Sequence, residues 1–94
     1  MTTNYYECDK GWHHLIEETI AKIKEIDPDI QFTQIKEKFG GLRIYVGRAS
    51  EETYDVIAEA EQKSYKTCEV CGQPGELDTK SGWWKTVCSE HKRE

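Results

Sequence analysis

Ile30-Gln31-Phe32-Thr33-Gln34-Ile35-Lys36-Glu37-Lys38-Phe39, then Gly40-Gly41, then Leu42-Arg43-Ile44-Tyr45-Val46-Gly47-Arg48, is the stretch on which the fold depends. Two runs rich in β-branched and aromatic residues flank a pair of glycines. Two glycines tolerate the positive φ angles of a two-residue turn, so the stretch predicts a β-hairpin with Gly40-Gly41 as its loop. That register pairs Phe39 with Leu42, Lys38 with Arg43, Glu37 with Ile44, Lys36 with Tyr45 and Ile35 with Val46. Side chains alternate along a strand, so Ile35, Phe39, Leu42, Ile44 and Val46 share a core face, while Lys36, Lys38, Arg43 and Tyr45 share the other.

Three cations beside a stacking-capable tyrosine suit a phosphate or nucleotide, and the chain carrying them is acidic overall, with 13 basic against 18 acidic residues and a net charge of -5. The plainer reading is a solvated sheet face whose long cationic side chains discourage edge pairing. The glycine pair is no phosphate loop. It lacks the Gly-x4-Gly-Lys-Ser/Thr spacing and lies between strands rather than before a helix.

Before the hairpin, apolar residues fall at Trp12, Leu15, Ile16, Ile20, Ile23 and Ile26 with the spacing of an amphipathic helix over Lys10–Ile26. Asp9 is placed to cap that helix and Asp27-Pro28-Asp29 to stop it. After the hairpin, Ser50 with Glu51 and Glu52 opens a second helix, reaching about Lys66, with Tyr54, Ile57, Ala58 and Tyr65 as its buried stripe. Pro74-Gly75 and Lys80-Ser81-Gly82 signal turns, and Trp83 to Val87 reads as a strand with one of Trp83 and Trp84 in the core and the other outward. The outward ring is an interface anchor or stacking platform; Trp84 is taken as the ligand-facing one.

That second helix delivers the chain into Cys68-Glu-Val-Cys71, and the following segment ends in Cys88-Ser-Glu-His91. Two pairs, each with two intervening residues, are what a tetrahedral zinc ion needs when two tight turns grip it, with Gly72 easing the first turn. Cys68, Cys71, Cys88 and His91 are therefore read as a closed, structural Cys3His site. The alternative is a disulfide joining Cys71 to Cys68 or to Cys88. Cys8 is the odd thiol, either a free small residue or a replacement ligand for His91. His13 and His14 point about a quarter-turn apart on a helix, which prevents both from holding one metal, and one of them is expected partly buried beside Trp12.

At 94 residues, 36% hydrophobic and 33% charged, the chain has the size of one domain with a modest core that a metal clip would help. Residues 1–66 form a helix-hairpin-helix part and residues 67–94 a zinc-binding module packed on it. The class is α+β: an N-terminal helix, a β-hairpin, a second helix and a C-terminal zinc knuckle or ribbon. The N-terminus lacks signal-peptide regions and no apolar run approaches membrane-spanning length, so a reducing cytoplasm is the expected setting, with no membrane partner.

The combination of Lys36-Glu37-Lys38-Phe39-Gly40-Gly41-Leu42-Arg43-Ile44-Tyr45, Cys-x-x-Cys-Gly-x-Pro-Gly, Gly82-Trp83 and Thr86-Val87-Cys88-x-x-His91 resembles a group of small uncharacterised bacteriophage and prophage proteins. The resemblance covers the chain from the hairpin to the C-terminus. It implies a short protein acting in the host cytoplasm on host factors, including defence systems.

The resulting expectation is a non-enzymatic counter-defence binding protein that sequesters an anionic, nucleotide-like ligand through Lys36, Lys38, Arg43, Tyr45 and Trp84. One small sheet makes a shallow pocket, and a homo-oligomer would deepen it. A protein-protein inhibitor of a host defence factor, using acidic helix faces and an exposed tryptophan, is the alternative. A zinc-supported nucleic-acid binder comes third, because the net charge opposes it. No nucleophile is tied to a base by any motif, and no carboxylate pair stands out, so no catalytic residues are named.

Overall fold

The computed structural model describes residues 5–80, 82 and 84–92. The chain is α+β. A two-residue strand, β1 (Tyr6–Glu7), leads through one 3-10 turn (Lys10–Trp12) into helix α1 (His13–Ile26). Trp12, Leu15, Ile16, Thr19 and Ile23 form its buried stripe. Thr19 is tolerated there because its hydroxyl donates to the Leu15 carbonyl at 2.7 Å. Asp9 holds the residue position before the 3-10 turn, but its side chain caps nothing. Its carboxylate instead accepts from Lys85 Nζ at 3.0 Å, so the expected cap is an ion pair to the far end of the chain.

β2 (Phe32–Lys38) and β3 (Gly41–Val46) form the hairpin. The loop is Phe39-Gly40, not Gly40-Gly41, and the pairs are Lys38 with Gly41, Glu37 with Leu42, Lys36 with Arg43, Ile35 with Ile44 and Gln34 with Tyr45. Both loop residues have positive φ, 54° at Phe39 and 79° at Gly40, the combination a type I′ turn demands. Gly41 is needed in the strand for another reason: a Cβ there would lie 2.5 Å from the Tyr65 hydroxyl, so the ring of Tyr65 packs where a side chain would be. The register differs from expectation by an even step, so the two faces keep their members. Phe39, however, leaves the core and is 62% exposed at the hairpin tip, while Val46 is half-buried opposite Phe32. β1 adds a third strand, parallel to β2. With only two residues, it has no periodicity for sequence reading to detect.

Helix α2 (Glu51–Ser64) starts at Ser50, whose hydroxyl accepts from Thr53 N. Its buried positions are Thr53, Ala60 and Ser64, with Val56 and Ile57 partly covered. Tyr54 and Ala58 are exposed, so the expected stripe is out of phase with the observed one. The hidden polar groups are satisfied: Ser64 Oγ accepts from Leu42 N at 2.9 Å, which caps a free amide on β3. Trp12, Ile16 and Ile23 from the first helical segment meet Phe32, Ile35, Leu42 and Ile44 from the sheet, and Ala60 from α2, in one core.

Beyond α2 the chain makes a second sheet of β4 (Glu76–Asp78) and β5 (Lys85–Val87), antiparallel. β5 is shorter than the strand expected over 83–87. Trp83 lies outside the described residues, and Trp84 is 46% exposed. Besides the Asp9–Lys85 ion pair, four hydrogen bonds among the described residues help to seat this module on the rest. Trp12 Nε1 donates to Thr67 O at 2.8 Å and Gly11 N to Glu69 O at 2.7 Å. Asp9 N donates to Glu69 Oε2 at 3.1 Å, and Thr86 Oγ1 donates to the turn carbonyl of Gly40 at 2.7 Å. No described helix is long and apolar enough to cross a membrane.

Candidate functional site

The chain leaves α2 and at once makes a tight turn in which Gly72 N donates to Cys68 O at 2.8 Å. A second turn closes with His91 N on Cys88 O at 3.1 Å. These turns bring Cys68, Cys71, Cys88 and His91 together, with one ligand-grade atom of each within 4.8 Å of the others. Cys71 Sγ lies 3.6 Å from Cys88 Sγ, and His91 Nδ1 lies 3.6 Å from Cys68 Sγ and 3.2 Å from Cys88 Sγ. All four cysteines are free thiols, so the disulfide alternative is not what the geometry holds. The cluster can bind a metal ion.

Its electrostatics favour the thiolate at Cys68 and Cys88 but not at Cys71, whose thiol the Gln73 N–H lowers while burial and the Cys68 and Cys88 side chains raise it further, leaving it raised. Burial alone would raise the Cys68 thiol, but backbone N–H groups of Cys71, Cys88 and Val70 bring it down to about 6. Burial likewise opposes ionisation of Cys88, and the His91 side chain with the Glu90 N–H outweighs it, so that thiol is lowered. His91 is raised, first by Cys88 and then by Cys68, as a ring beside thiolates must be. Cys8 stays outside the cluster. Burial first, then the charges of Glu69, Asp9 and Glu37, push its thiol up to about 12, which leaves it inert.

Between the hairpin tip and the C-terminal sheet runs a groove of about 970 Å³, lined by Lys36, Lys38, Phe39, Arg43, Tyr65 and Trp84, together with Glu37, Leu77 and Gly82. Phe39 meets Trp84 edge-on at 6.4 Å, and Lys38 Nζ sits 5.6 Å from the Phe39 ring centre. The Glu37 carboxylate is engaged by the turn, accepting from Gly40 N at 2.8 Å. Arg43 Nη1 lies 3.6 Å from Glu61 Oε1 on α2, and Arg43 Nε is buried with no hydrogen-bond partner among the described residues. Glu61 Oε2 in turn accepts from the Tyr65 hydroxyl at 3.2 Å.

Of the five ligand-binding residues expected from sequence, Lys36, Lys38, Arg43 and Trp84 line this one groove; Tyr45 does not, and stands 43% exposed further along the sheet face. Sequence reading misses Phe39, Tyr65 and Glu61. A turn placed one residue late puts Phe39 in the core, and nothing in the spacing of α2 shows that its last turn overhangs β3. His13 and His14 are both exposed, contrary to the expectation of a buried partner for Trp12; His13 meets Tyr6 edge-on at 5.2 Å, and His14 pairs with Glu18 at 3.6 Å. Glu69, also missed, is buried between two of the metal-ligand candidates in sequence. Burial chiefly raises its carboxyl above the ordinary glutamate range, against the Asp9 N–H and Lys85, which lower it.

No protein-family model matches this chain, and neither a curated protein nor a solved structure matches it.

Proposed function

We propose that this chain is a non-enzymatic binding protein that holds an anionic, nucleotide-like ligand in the groove between its hairpin tip and a zinc-braced C-terminal module. The observation that carries this reading is the convergence of Lys36, Lys38 and Arg43 with Phe39, Tyr65 and Trp84 on one groove. Aromatic rings accept a base at about 1–3 kcal/mol per stacked base, and the arginine fork takes phosphate oxygens in pairs where the lysines act as point charges. Zinc is the metal that best suits the cluster. Zinc-sulfur bonds of about 2.3 Å and zinc-nitrogen bonds of about 2.0–2.1 Å make tetrahedral edges of about 3.8 Å between sulfurs and about 3.6 Å from sulfur to nitrogen. Two observed edges, at 3.6 Å, lie close to these, and the third, Cys88 Sγ to His91 Nδ1 at 3.2 Å, is shorter. With four protein ligands the ion supplies a cross-link, and the module's own residues build the groove wall. The resemblance to small phage proteins supports a counter-defence setting in a host cytoplasm, where withholding a nucleotide signal is a useful act.

The test pairs native mass spectrometry of the reduced protein with calorimetric titration of 5′-AMP. One zinc per chain and saturable AMP binding are expected. An Arg43→Ala, Lys38→Ala double variant should keep its thermal stability and lose the binding. A folded double variant with undiminished binding overturns the groove assignment. A wild-type protein that ignores AMP but retains a host protein replaces this reading with inhibition by protein contact.

A further inference from the structure

Phe39 stands where a bulky residue is out of place. Its φ is 54°, in the left-handed region that glycine and asparagine enter readily and a large side chain reaches only under strain. A two-residue turn of this type is best filled by Asn-Gly, and here Phe39-Gly40 fills it. The loop is held so that it cannot relax. Gly40 N donates to the Glu37 carboxylate at 2.8 Å and Gly40 O accepts from the Thr86 hydroxyl at 2.7 Å, which pins the turn to its own strand and to the C-terminal sheet. Packing in the core does not offset the strain, because the ring is 62% exposed and lies outside the apolar cluster of helix and sheet. Two other groove residues meet it: Trp84, edge-on at 6.4 Å, and Lys38, whose Nζ is 5.6 Å from the ring centre. Strain that the surroundings over-determine and the core does not use is found at ligand contacts.

We infer that Phe39 is the base-recognising residue of the groove, a ring kept in a strained turn so that a base can stack on it while Lys38 beside it meets the phosphate. This rests on the reading of the groove as a nucleotide site and adds the residue that separates a nucleotide from a bare sugar phosphate. Lys36, Lys38 and Arg43 attract both compounds through the phosphate they share, so the base has to be felt by a ring. Of the other two rings, Tyr65 is the more committed. It fills the space over Gly41, and its hydroxyl donates to Glu61. Trp84 meets Phe39 edge-on and buttresses it.

The experiment compares 5′-AMP with ribose 5-phosphate by calorimetry, in wild type, Phe39→Asn and Phe39→Tyr, with the thermal midpoint of each chain recorded. Wild type should prefer AMP by about tenfold or more, within the range that one stacked base contributes. Phe39→Asn relieves the strain and removes the ring. It should melt no lower than wild type, bind ribose 5-phosphate as wild type does, and prefer AMP by about threefold or less. Phe39→Tyr keeps a ring and should keep the preference. Equal binding of the two compounds by wild type overturns the inference and leaves a groove that reads phosphate alone. A preference unmoved by Phe39→Asn, or lost as fully in Phe39→Tyr, also overturns it with the groove reading intact. A Phe39→Asn chain that melts well below wild type, or fails to fold, overturns it too, because the ring then serves stability. Failure of wild type to bind either compound removes the groove reading and the inference together.

Discussion

The two ends of this molecule are held by different physics. In the N-terminal part, Trp12, Ile16 and Ile23 interlock with Phe32, Ile35, Leu42 and Ile44, a core built from helix and sheet together. In the C-terminal part the corresponding cluster is Cys68, Val87 and Cys88, with Val70 against it, and two of its members are metal-ligand candidates. Apolar burial at about 25 cal/mol per Å² sustains the first; it has little to work with in the second. The difference gives a reason for a cluster of metal-ligand candidates at that end. It also places the groove at the junction, with one wall on the apolar core and one on the module that carries the metal-ligand candidates.

The largest expected effect breaks the comparison directly. Chelation of the metal, or Cys71→Ser, should abolish amide-exchange protection in residues 67–92 while the amides of α1 around Ile16 to Ile23 remain protected. The site cannot exist preformed in an unfolded chain, so its binding free energy is folding free energy for that module, on the order of 10 kcal/mol in small zinc domains. Metal content measured on the same samples checks the cause. A reduced, metal-free protein whose β4 and β5 amides stay protected would show that the contacts to the hairpin suffice alone.

How much of this is legible in the sequence follows the same division. The ligand set of the cluster and the periodic stripe of α1 are local patterns, and each reappears in the structure. The hairpin is legible as a hairpin, but its turn is not. Two adjacent glycines look like one loop, and here they serve two purposes: Gly40 supplies a positive φ under a carbonyl held by Thr86, while Gly41 makes room for Tyr65. Both needs come from residues distant in sequence. The phase of α2 escapes for a related cause, since its buried positions are Thr53, Ala60 and Ser64, and the two hydroxyl-bearing ones become suitable only once Asp27, Glu61 O and Leu42 N supply their partners. Polar groups satisfied by tertiary contacts carry no hydrophobic periodicity.

A middle-sized effect should come from the joint. Gly11 donates to Glu69 O at 2.7 Å, and a Cβ at Gly11 would strike the carbonyl oxygens of Cys68 and Glu69. Those atoms are backbone beside a metal ligand and cannot swing aside. Gly11→Ala should therefore cost about 1–3 kcal/mol, the usual range for forced overpacking, read from chemical denaturation of the metal-loaded protein. The loss should appear as weaker docking of the two parts, with tighter dependence on metal, rather than as melting of the apolar core. An alanine variant as stable as wild type would mean that the two parts are joined elsewhere, with Trp12 Nε1 on Thr67 O as the next contact to remove.

The smallest effect belongs to the junction that needs no metal, and it sharpens the contrast by its pH dependence. Asp27 ends α1, and its Oδ2 accepts from Ser50 N at 3.1 Å, from Ser50 Oγ at 3.0 Å and from the Thr53 hydroxyl, stapling one helix end to the start of the next. The Thr53 hydroxyl chiefly, then the Ser50 N–H, hold its carboxyl below the ordinary aspartate range, against a slight opposing effect of burial. A group whose folded value is depressed binds protons more readily in the unfolded chain. Its stabilisation is therefore complete above the unfolded value of about 3.9 and is lost as pH falls through the lower folded value. Wild type should accordingly exceed Asp27→Asn in thermal midpoint at pH 7, and the gap should close only below about pH 4. The reading must come from a probe in α1, because protonation of the metal ligands releases the other module on its own schedule. A gap that stays constant as the pH is lowered from neutral to well below the carboxylate range would show that the Asp27→Asn change acts through shape alone, and that the carboxylate charge contributes nothing to the staple.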